Sequence, residues 1–261
     1  MGLPDGALDR AGELHRLGVA AGDEGHLSEA AGLFARALAV LGLDRRGEPL
    51  EPHGAGDSQH HRDRDRLAAR ILNSMALPAY ELGEVQAGLA TIEAAERVAA
   101  RARYSEVRVL VLVQHGLLLI RAGRPAEALP YLDQAVRLIR YAAPIEQCKI
   151  WMNRGDAHHL LGHIRLAHSD FSQAVELARR HGLTEFEFRN THNAAFMDYL
   201  SGDLPRALAR MPSPATASSD YASGVVGLDR SKVLLSAGLV TEADEILQQA
   251  CAALEIGRAH V

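Results

Sequence analysis

The chain has 261 residues, 48% of them hydrophobic and only 5% aromatic, with a formal net charge of −5. This length and hydrophobic content suffice for one sizeable domain with a buried core. The negative charge argues against non-specific binding to nucleic acid or to acidic membranes, and the low aromatic content argues against stacking platforms for single strands.

Hydrophobic periodicity predicts paired helices along most of the chain, and no stretch is convincing as a strand. The six predicted pairs span approximately residues 8–41, 66–101, 105–140, 145–181, 184–211 and 221–255. In the fifth pair the second helix should begin at Leu204 and stop early, because two prolines interrupt the segment MPSPATASSD (211–220). The sequence therefore predicts an all-α fold of about six helical hairpins.

An unusual segment, LDRRGEPLEPHGAGDSQHHRDRD (43–65), separates the first two pairs. It is rich in glycine, proline, histidine and charged residues, a composition that does not support a packed core. The alternating charges after His60 and His61 are typical of a solvated segment. We predict that residues 43–65 form an exposed and mobile insertion.

A glycine recurs between the two helices of each pair, at positions 25, 83, 123, 162, 202 and 238. Seven residues before each glycine lies a small residue: Gly18, Ala76, Gly116, Gly155, Ala195 and Ser231. Nine residues after each glycine lies a large apolar residue: Phe34, Ile92, Leu132, Phe171, Met211 and Leu247. A glycine can end the first helix in the left-handed conformation, the small residue allows the helices to approach, and the large residue fills the space between them.

This pattern resembles the tetratricopeptide repeat (TPR) over residues of about 11–255. The match is most complete in the fourth repeat, at Trp151, Gly155, Ala167, Phe171 and Ala174. His158 stands where the family prefers tyrosine. The resemblance implies a right-handed α-α superhelix, a TPR solenoid, and a role in protein–protein interaction without specifying the partner.

The residues that could carry chemistry form no convincing catalytic or metal-binding set. His159 and His163 have the spacing of two metal ligands on one helix, but Gly162 ends that helix between them. Cys148 lies at the predicted start of a helix, where its pKa could be lowered, but burial against the preceding hairpin is the preferred interpretation. We predict no catalytic residue, no metal site, no cofactor and no enzymatic activity.

In TPR superhelices the first helix of each pair lines the inner groove, where polar residues can hold a peptide. Thirteen residues before the turn glycine lie Arg70, Lys149 and Arg189, and nine before it lie Ser74, Gln114, Asn153 and Asn193. Amides can bond a peptide backbone, and cations can bind acidic side chains or a carboxy-terminus. The predicted peptide-binding groove comprises Arg70, Asn73, Gln114, Lys149, Asn153, Arg189 and Asn193. The alternative is that these are ordinary solvated residues without a partner.

Several segments, among them LLIRAGRPAEALPYLDQAV and NAAFMDYLSGDLPRAL, resemble the amino-terminal TPR arrays of actinobacterial proteins with a CHAT domain, a caspase-like protease fold. The resemblance implies a recognition or autoinhibitory arm. The predicted partner is a protein or peptide, and the negative charge argues against nucleic acid and membranes as partners. The alternative is the sensor arm of a TPR-bearing transcriptional regulator. The heptapeptide EIGRAHV (255–261) resembles a translated sequencing adapter, so we expect a non-native tail on a truncated chain.

The location predicted from the sequence is cytoplasmic. The N-terminus has neither a positively charged region nor an apolar region of the kind found in signal peptides. The longest apolar run, residues 109–120, is too short to span a bilayer and contains Gln114 and His115.

Overall fold

The computed structural model describes residues 6–50 and 59–259, except for the side chains at positions 220, 221 and 256–259. Within these residues the fold is all-α, as predicted, with one isolated β-bridge between Leu43 and Pro49. The helices are α1 Ala7–Asp23, α2 Leu27–Val40, α3 Gln59–Glu81, α4 Val85–Ala102, α5 Ser105–Arg121, α6 Pro125–Arg137, α7 Pro144–Leu160, α8 Ile164–Arg180, α9 Thr184–Leu200, α10 Leu204–Arg210, α11 Asp220–Ser236 and α12 Val240–Ala259.

The helices form two compact units, residues 1–142 and residues 143–261. The first unit contains α1 to α6 and the second contains α7 to α12. Within each unit, consecutive helices pack as the hairpins α1–α2, α3–α4, α5–α6, α7–α8, α9–α10 and α11–α12. The pairing predicted from periodicity is therefore confirmed.

Each of the six turn glycines ends the first helix of its hairpin in the left-handed conformation, with φ between 73° and 86°. At the α7–α8 turn the N–H of Gly162 donates to the carbonyl of His159 (2.9 Å), and the N–H of His163 donates to the carbonyl of His158 (2.8 Å). These bonds satisfy carbonyls that the helix end would otherwise leave unpaired.

The predicted close approach of the two helices is also confirmed. A Cβ added to Gly155 would lie 2.6 Å from the ring of Phe171, and one added to Gly18 would lie 2.5 Å from the ring of Phe34. Both phenylalanines are 1% exposed. Each ring therefore occupies the volume that a side chain on the facing helix would need.

The prediction of an exposed insertion at residues 43–65 is contradicted in part, since residues 45, 46, 49, 50, 59 and 60 are exposed but other described positions are buried. Helix α3 begins at Gln59, earlier than expected, and Arg64 and Asp65 are buried as an ion pair at 2.9 Å. Leu43 is buried, and the carbonyl of Gly47 accepts a hydrogen bond from Arg101 (2.8 Å). The buried charges are tolerated because each has a partner. Residues 51–58 lie outside the described part of the chain.

Proline positions agree with the predicted helix boundaries in the fifth hairpin. Helix α10 stops at Arg210, and a short 3-10 turn follows at Pro214–Thr216.

The last helix, α12, continues to Ala259, while residues 260–261 lie outside the described part. The non-native origin of residues 255–261 stays a prediction.

None of the described helices combines the length and apolar character that a bilayer crossing requires.

Candidate functional site

The first helices of the three hairpins in residues 143–261 lie side by side. Helices α7 and α9 meet where the rings of His159 and Phe196 form a T-shaped pair, with 6.1 Å between ring centres. Helices α9 and α11 meet where Tyr199 and Ser236 are hydrogen bonded at 3.2 Å. We call the surface of α7, α9 and α11 at positions thirteen, nine, six and three before each turn glycine the inner face.

Four of the seven predicted groove residues belong to this inner face, and three of them are accessible. Arg189 is exposed, while Lys149 and Asn193 are half-buried. Lys149 already donates to Glu146 at 2.9 Å. Asn153 is only 2% exposed, so it belongs to the interior of the hairpin and offers little surface to a ligand.

The other three predicted residues, Arg70, Asn73 and Gln114, lie in the unit of residues 1–142. Arg70 is exposed and Gln114 is half-buried. Asn73 is half-buried, and its Oδ1 has no hydrogen-bond partner within the described ranges. The seven predicted residues thus fall into two groups, one in each unit.

The centre of the inner face is the ring of Phe196, which is not among the seven predicted groove residues. The ring of His192 stacks on it at 6.4 Å, the ring of Tyr199 lies at 5.5 Å, and Lys232 Nζ lies 5.9 Å from its centre. Phe196 and Lys232 are both six residues before a turn glycine, and Asp156 is the matching residue on α7. Continuing the helical period by one more turn from positions thirteen and nine would have found all three.

Asp229 joins α11 to α9 on the same face. Its carboxylate accepts hydrogen bonds from His192 Nε2 (3.1 Å) and from Lys232 Nζ (2.8 Å). Burial alone would raise the pKa of Asp229, but these two donors outweigh it and hold the pKa below its usual value. The cation at Lys232 is consequently engaged within the protein.

Asp156 differs from Asp229, because within the described ranges the carboxylate of Asp156 has no hydrogen bond or ion pair. Burial raises the pKa of Asp156 and the positive charge of Arg189 lowers it, and the net result is a pKa of about 7. The side chain therefore changes between neutral and charged near physiological pH.

We predict that Asp156→Asn will flatten the pH dependence of stability. A carboxyl whose pKa is raised on folding favours the native state below its unfolded pKa of 3.8 and disfavours it as pH rises through about 7. Relative to the variant, the wild type should lose roughly 1–2 kcal/mol between about pH 4 and pH 8, allowing for partial exposure. Urea unfolding of both proteins at several pH values measures this difference.

The exposed Asp23 supplies the control for this experiment, since Asp23→Asn should leave the slope of stability against pH unchanged. Equal slopes for wild type and Asp156→Asn would mean that Asp156 titrates as an ordinary aspartate.

Cys148 lies in the first half of α7 and is the cysteine for which a lowered pKa was considered. Cys148 is fully buried, its Sγ lies 3.9 Å from the carbonyl of Ala174 in its own hairpin, and burial raises its pKa to about 11. Cys148 is buried as predicted, but the contact shown is with its own hairpin and not with the preceding one, and its pKa is raised and not lowered. Among residues 6–50 and 59–259, no group of three or more His, Cys, Asp or Glu side chains is arranged to hold a metal ion.

Residues 149–181, which span most of the α7–α8 hairpin, match the sequence profile of the tetratricopeptide repeat. The fold is that of a TPR solenoid. The signature residues of the fourth repeat predicted from the sequence all lie within this match. No protein of curated function matches the chain.

Solved structures with TPR-like folds are similar to the chain at low sequence identity. A putative kinesin light chain with TPR-like repeats from P. anserina has a TM-score of 0.60 at 17% identity, and the aligned region covers 73% of this chain and 95% of that protein. BtubC from P. vanneervenii has a TM-score of 0.64 at 14% identity, covering 75% and 83%. The apo form of RapI has a TM-score of 0.65 at 9% identity, covering 95% and 84%. At these identities the similarity establishes the TPR fold alone.

Proposed function

We propose that the chain is a non-catalytic protein-interaction scaffold that binds a peptide segment of a partner protein on the inner face of α7, α9 and α11. The observation that supports this is the set of matching positions on three adjacent helices. They offer an accessible cation at Arg189, an accessible amide at Asn193 and the exposed apolar residues Val225 (36%) and Leu235 (51%).

Each of these groups suits a different part of a peptide. The amide of Asn193 can both donate to and accept from an extended backbone. Arg189 has no carboxylate within ion-pair distance in the described ranges, so its guanidinium is open to an acidic group. Lys149 and Lys232 are already paired with Glu146 and Asp229, so an acidic partner would have to compete for them.

Binding without catalysis is favoured by the chemistry of the inner face. The pair of His192 and Asp229 is the one arrangement there that resembles a general base with its orienting carboxylate. However, His192 is buried, and its Nδ1 has no hydrogen-bond partner among the described residues, so no hydroxyl or thiol is placed for activation.

Selection from a displayed library of random peptides, followed by affinity measurement of the enriched peptides, tests the proposal. We predict that Lys149→Glu with Arg189→Glu will weaken binding of the selected peptides by at least about 100-fold, because two charge-assisted contacts become repulsive. The matched control reverses two cations of the second helix α8, Arg165→Glu with Arg180→Glu, and should leave the affinity unchanged. Failure to enrich any peptide, or equal affinities for both double variants, would refute the proposed groove.

The finer assignment rests on the resemblance to TPR arrays of CHAT-domain proteins. We propose that the chain is the recognition arm of such a protein, located in the cytoplasm and binding no nucleic acid. Sequencing the complete coding region tests this proposal. A His/Cys protease module encoded together with the array supports it, whereas a helix-turn-helix module would favour the alternative of a transcriptional regulator.

A further inference from the structure

A second concave site lies in the other unit, between α1 and α3, and the proposed peptide groove does not include it. Its volume is about 480 Å³, within the range of pockets that hold small ligands. Gly12 and Arg16 line it from α1, and Arg66, Leu67 and Arg70 line it from α3. At Gly12 an added Cβ would meet only the end of the Arg16 side chain, at 3.9 Å, so the wall is open there.

Two of the three arginines in this cavity have no internal partner. Arg66 pairs with Glu106 at 2.9 Å and lies over the ring of Tyr104 at 4.7 Å. In contrast, Arg16 and Arg70 are exposed and make no ion pair or hydrogen bond within the described residues.

The one carboxylate that lines the cavity is engaged elsewhere. Asp63 accepts a hydrogen bond from Tyr104 Oη at 2.7 Å and one from Gln59 Nε2 at 3.1 Å. Both donors are neutral, so Asp63 keeps its negative charge, and the cavity lining combines three arginines with this one carboxylate. The excess of positive charge favours an anionic ligand.

His15 lines the same cavity as Arg16 and Arg70 and connects the two helices. Its Nε2 is hydrogen bonded to Ser74 Oγ at 2.9 Å, which joins α1 to α3. Burial, together with the positive charges of Arg70 and Arg16, lowers the pKa of His15 to about 4. The imidazole is thus neutral at pH 7, and the positive charge of the site comes from the arginines.

We propose that the cavity between α1 and α3 binds a phosphate group, held by the guanidinium groups of Arg16 and Arg70. A single guanidinium satisfies the two oxygens of a carboxylate. Two guanidinium groups from separate helices offer more donors, which match the three terminal oxygens and the charge of nearly −2 of a phosphomonoester. The remaining volume, bordered by Leu67 and the open wall at Gly12, has room for the compact group that carries the phosphate.

Isothermal titration of the full chain with inorganic phosphate tests the proposal, with acetate as the carboxylate probe. Inorganic phosphate should bind saturably at one site and acetate should not. Arg16→Gln and Arg70→Gln should each weaken phosphate binding by about tenfold or more, as expected for loss of a charge-assisted bond. The matched control, Arg36→Gln with Arg108→Gln, removes two exposed arginines outside the cavity and should leave binding unchanged.

Glucose 6-phosphate and a phosphoserine tripeptide distinguish the two sources of a phosphate group. Tighter binding of the first supports a phosphorylated small molecule, and tighter binding of the second supports a phosphorylated peptide. Thermal melts establish that each variant is folded before it is titrated. The proposal is overturned if no phosphate probe saturates, if acetate binds equally well, or if the variants Arg16→Gln and Arg70→Gln bind like the control.

Discussion

Replacing Arg154 with methionine is expected to lower the free energy of unfolding by about 3–5 kcal/mol, the cost of leaving a buried charge without its partner. Asp170 is only 4% exposed and accepts two hydrogen bonds from Arg154, from Nε at 2.8 Å and from Nη2 at 2.7 Å. The other nearby cation, His158, lies at 4.0 Å and is charged only when protonated. Chemical denaturation at pH 7 measures the loss.

The double variant Arg154→Met with Asp170→Leu should recover much of that loss, because both charges are then replaced by apolar groups. The pair of Arg180 and Glu176 is the comparison, since both side chains are 63% exposed. Arg180→Met should produce little change in stability. Equal effects of Arg154→Met and Arg180→Met would show that the bond between α7 and α8 is not buried as described.

Substituting Gly155 with alanine is the second large expected effect, at about 3 kcal/mol, the upper end of the usual cost of overpacking. The added Cβ would lie within 3.0 Å of three ring atoms of Phe171, and that ring is 1% exposed and cannot move aside cheaply. Gly32→Ala is the control, because nothing lies within 4 Å of the added Cβ. It should be neutral or slightly stabilising, since alanine favours helix.

The repeats themselves suggest how to relieve the clash. Where alanine takes the small position, the facing residue is Ile92 or Met211 and never phenylalanine. Phe171→Ile should therefore reduce the cost of Gly155→Ala, and a double-mutant cycle should give a coupling free energy of about 1 kcal/mol or more. Additive effects of the two substitutions would contradict the contact between position 155 and position 171.

The hairpins could be predicted because each is specified by local chemistry. The turn at Gly162 has a left-handed conformation that favours glycine, and the contact between Gly155 and Phe171 requires a small and a large residue. Both requirements fix residue types at constant spacing, so both can be recognised in the sequence. The charge pattern was a less reliable guide to which residues are buried. Arg64 and Asp65 looked solvated in a polar segment, but they are buried because they bind each other, and composition cannot show pairing.

The candidate site could be predicted only in part, for a related reason. Spacing placed Lys149, Arg189 and Asn193 on the correct face of their helices, but it could not show that Asn153 is covered by its own hairpin. The helical period could have placed Phe196 on this face, but its contacts with His159 and Lys232 join three hairpins and cannot be predicted from the spacing within one repeat.

Photo-cross-linking of a library-selected peptide tests most directly the claim that the inner face of α7, α9 and α11 is the binding surface. A photoreactive benzophenone side chain is placed at Asn193 on the inner face or at the exposed Glu176 on α8. We expect the peptide to cross-link from position 193 and not from position 176, and an excess of unlabelled peptide to remove the product. A cross-link from position 176 with none from position 193 would contradict the claim.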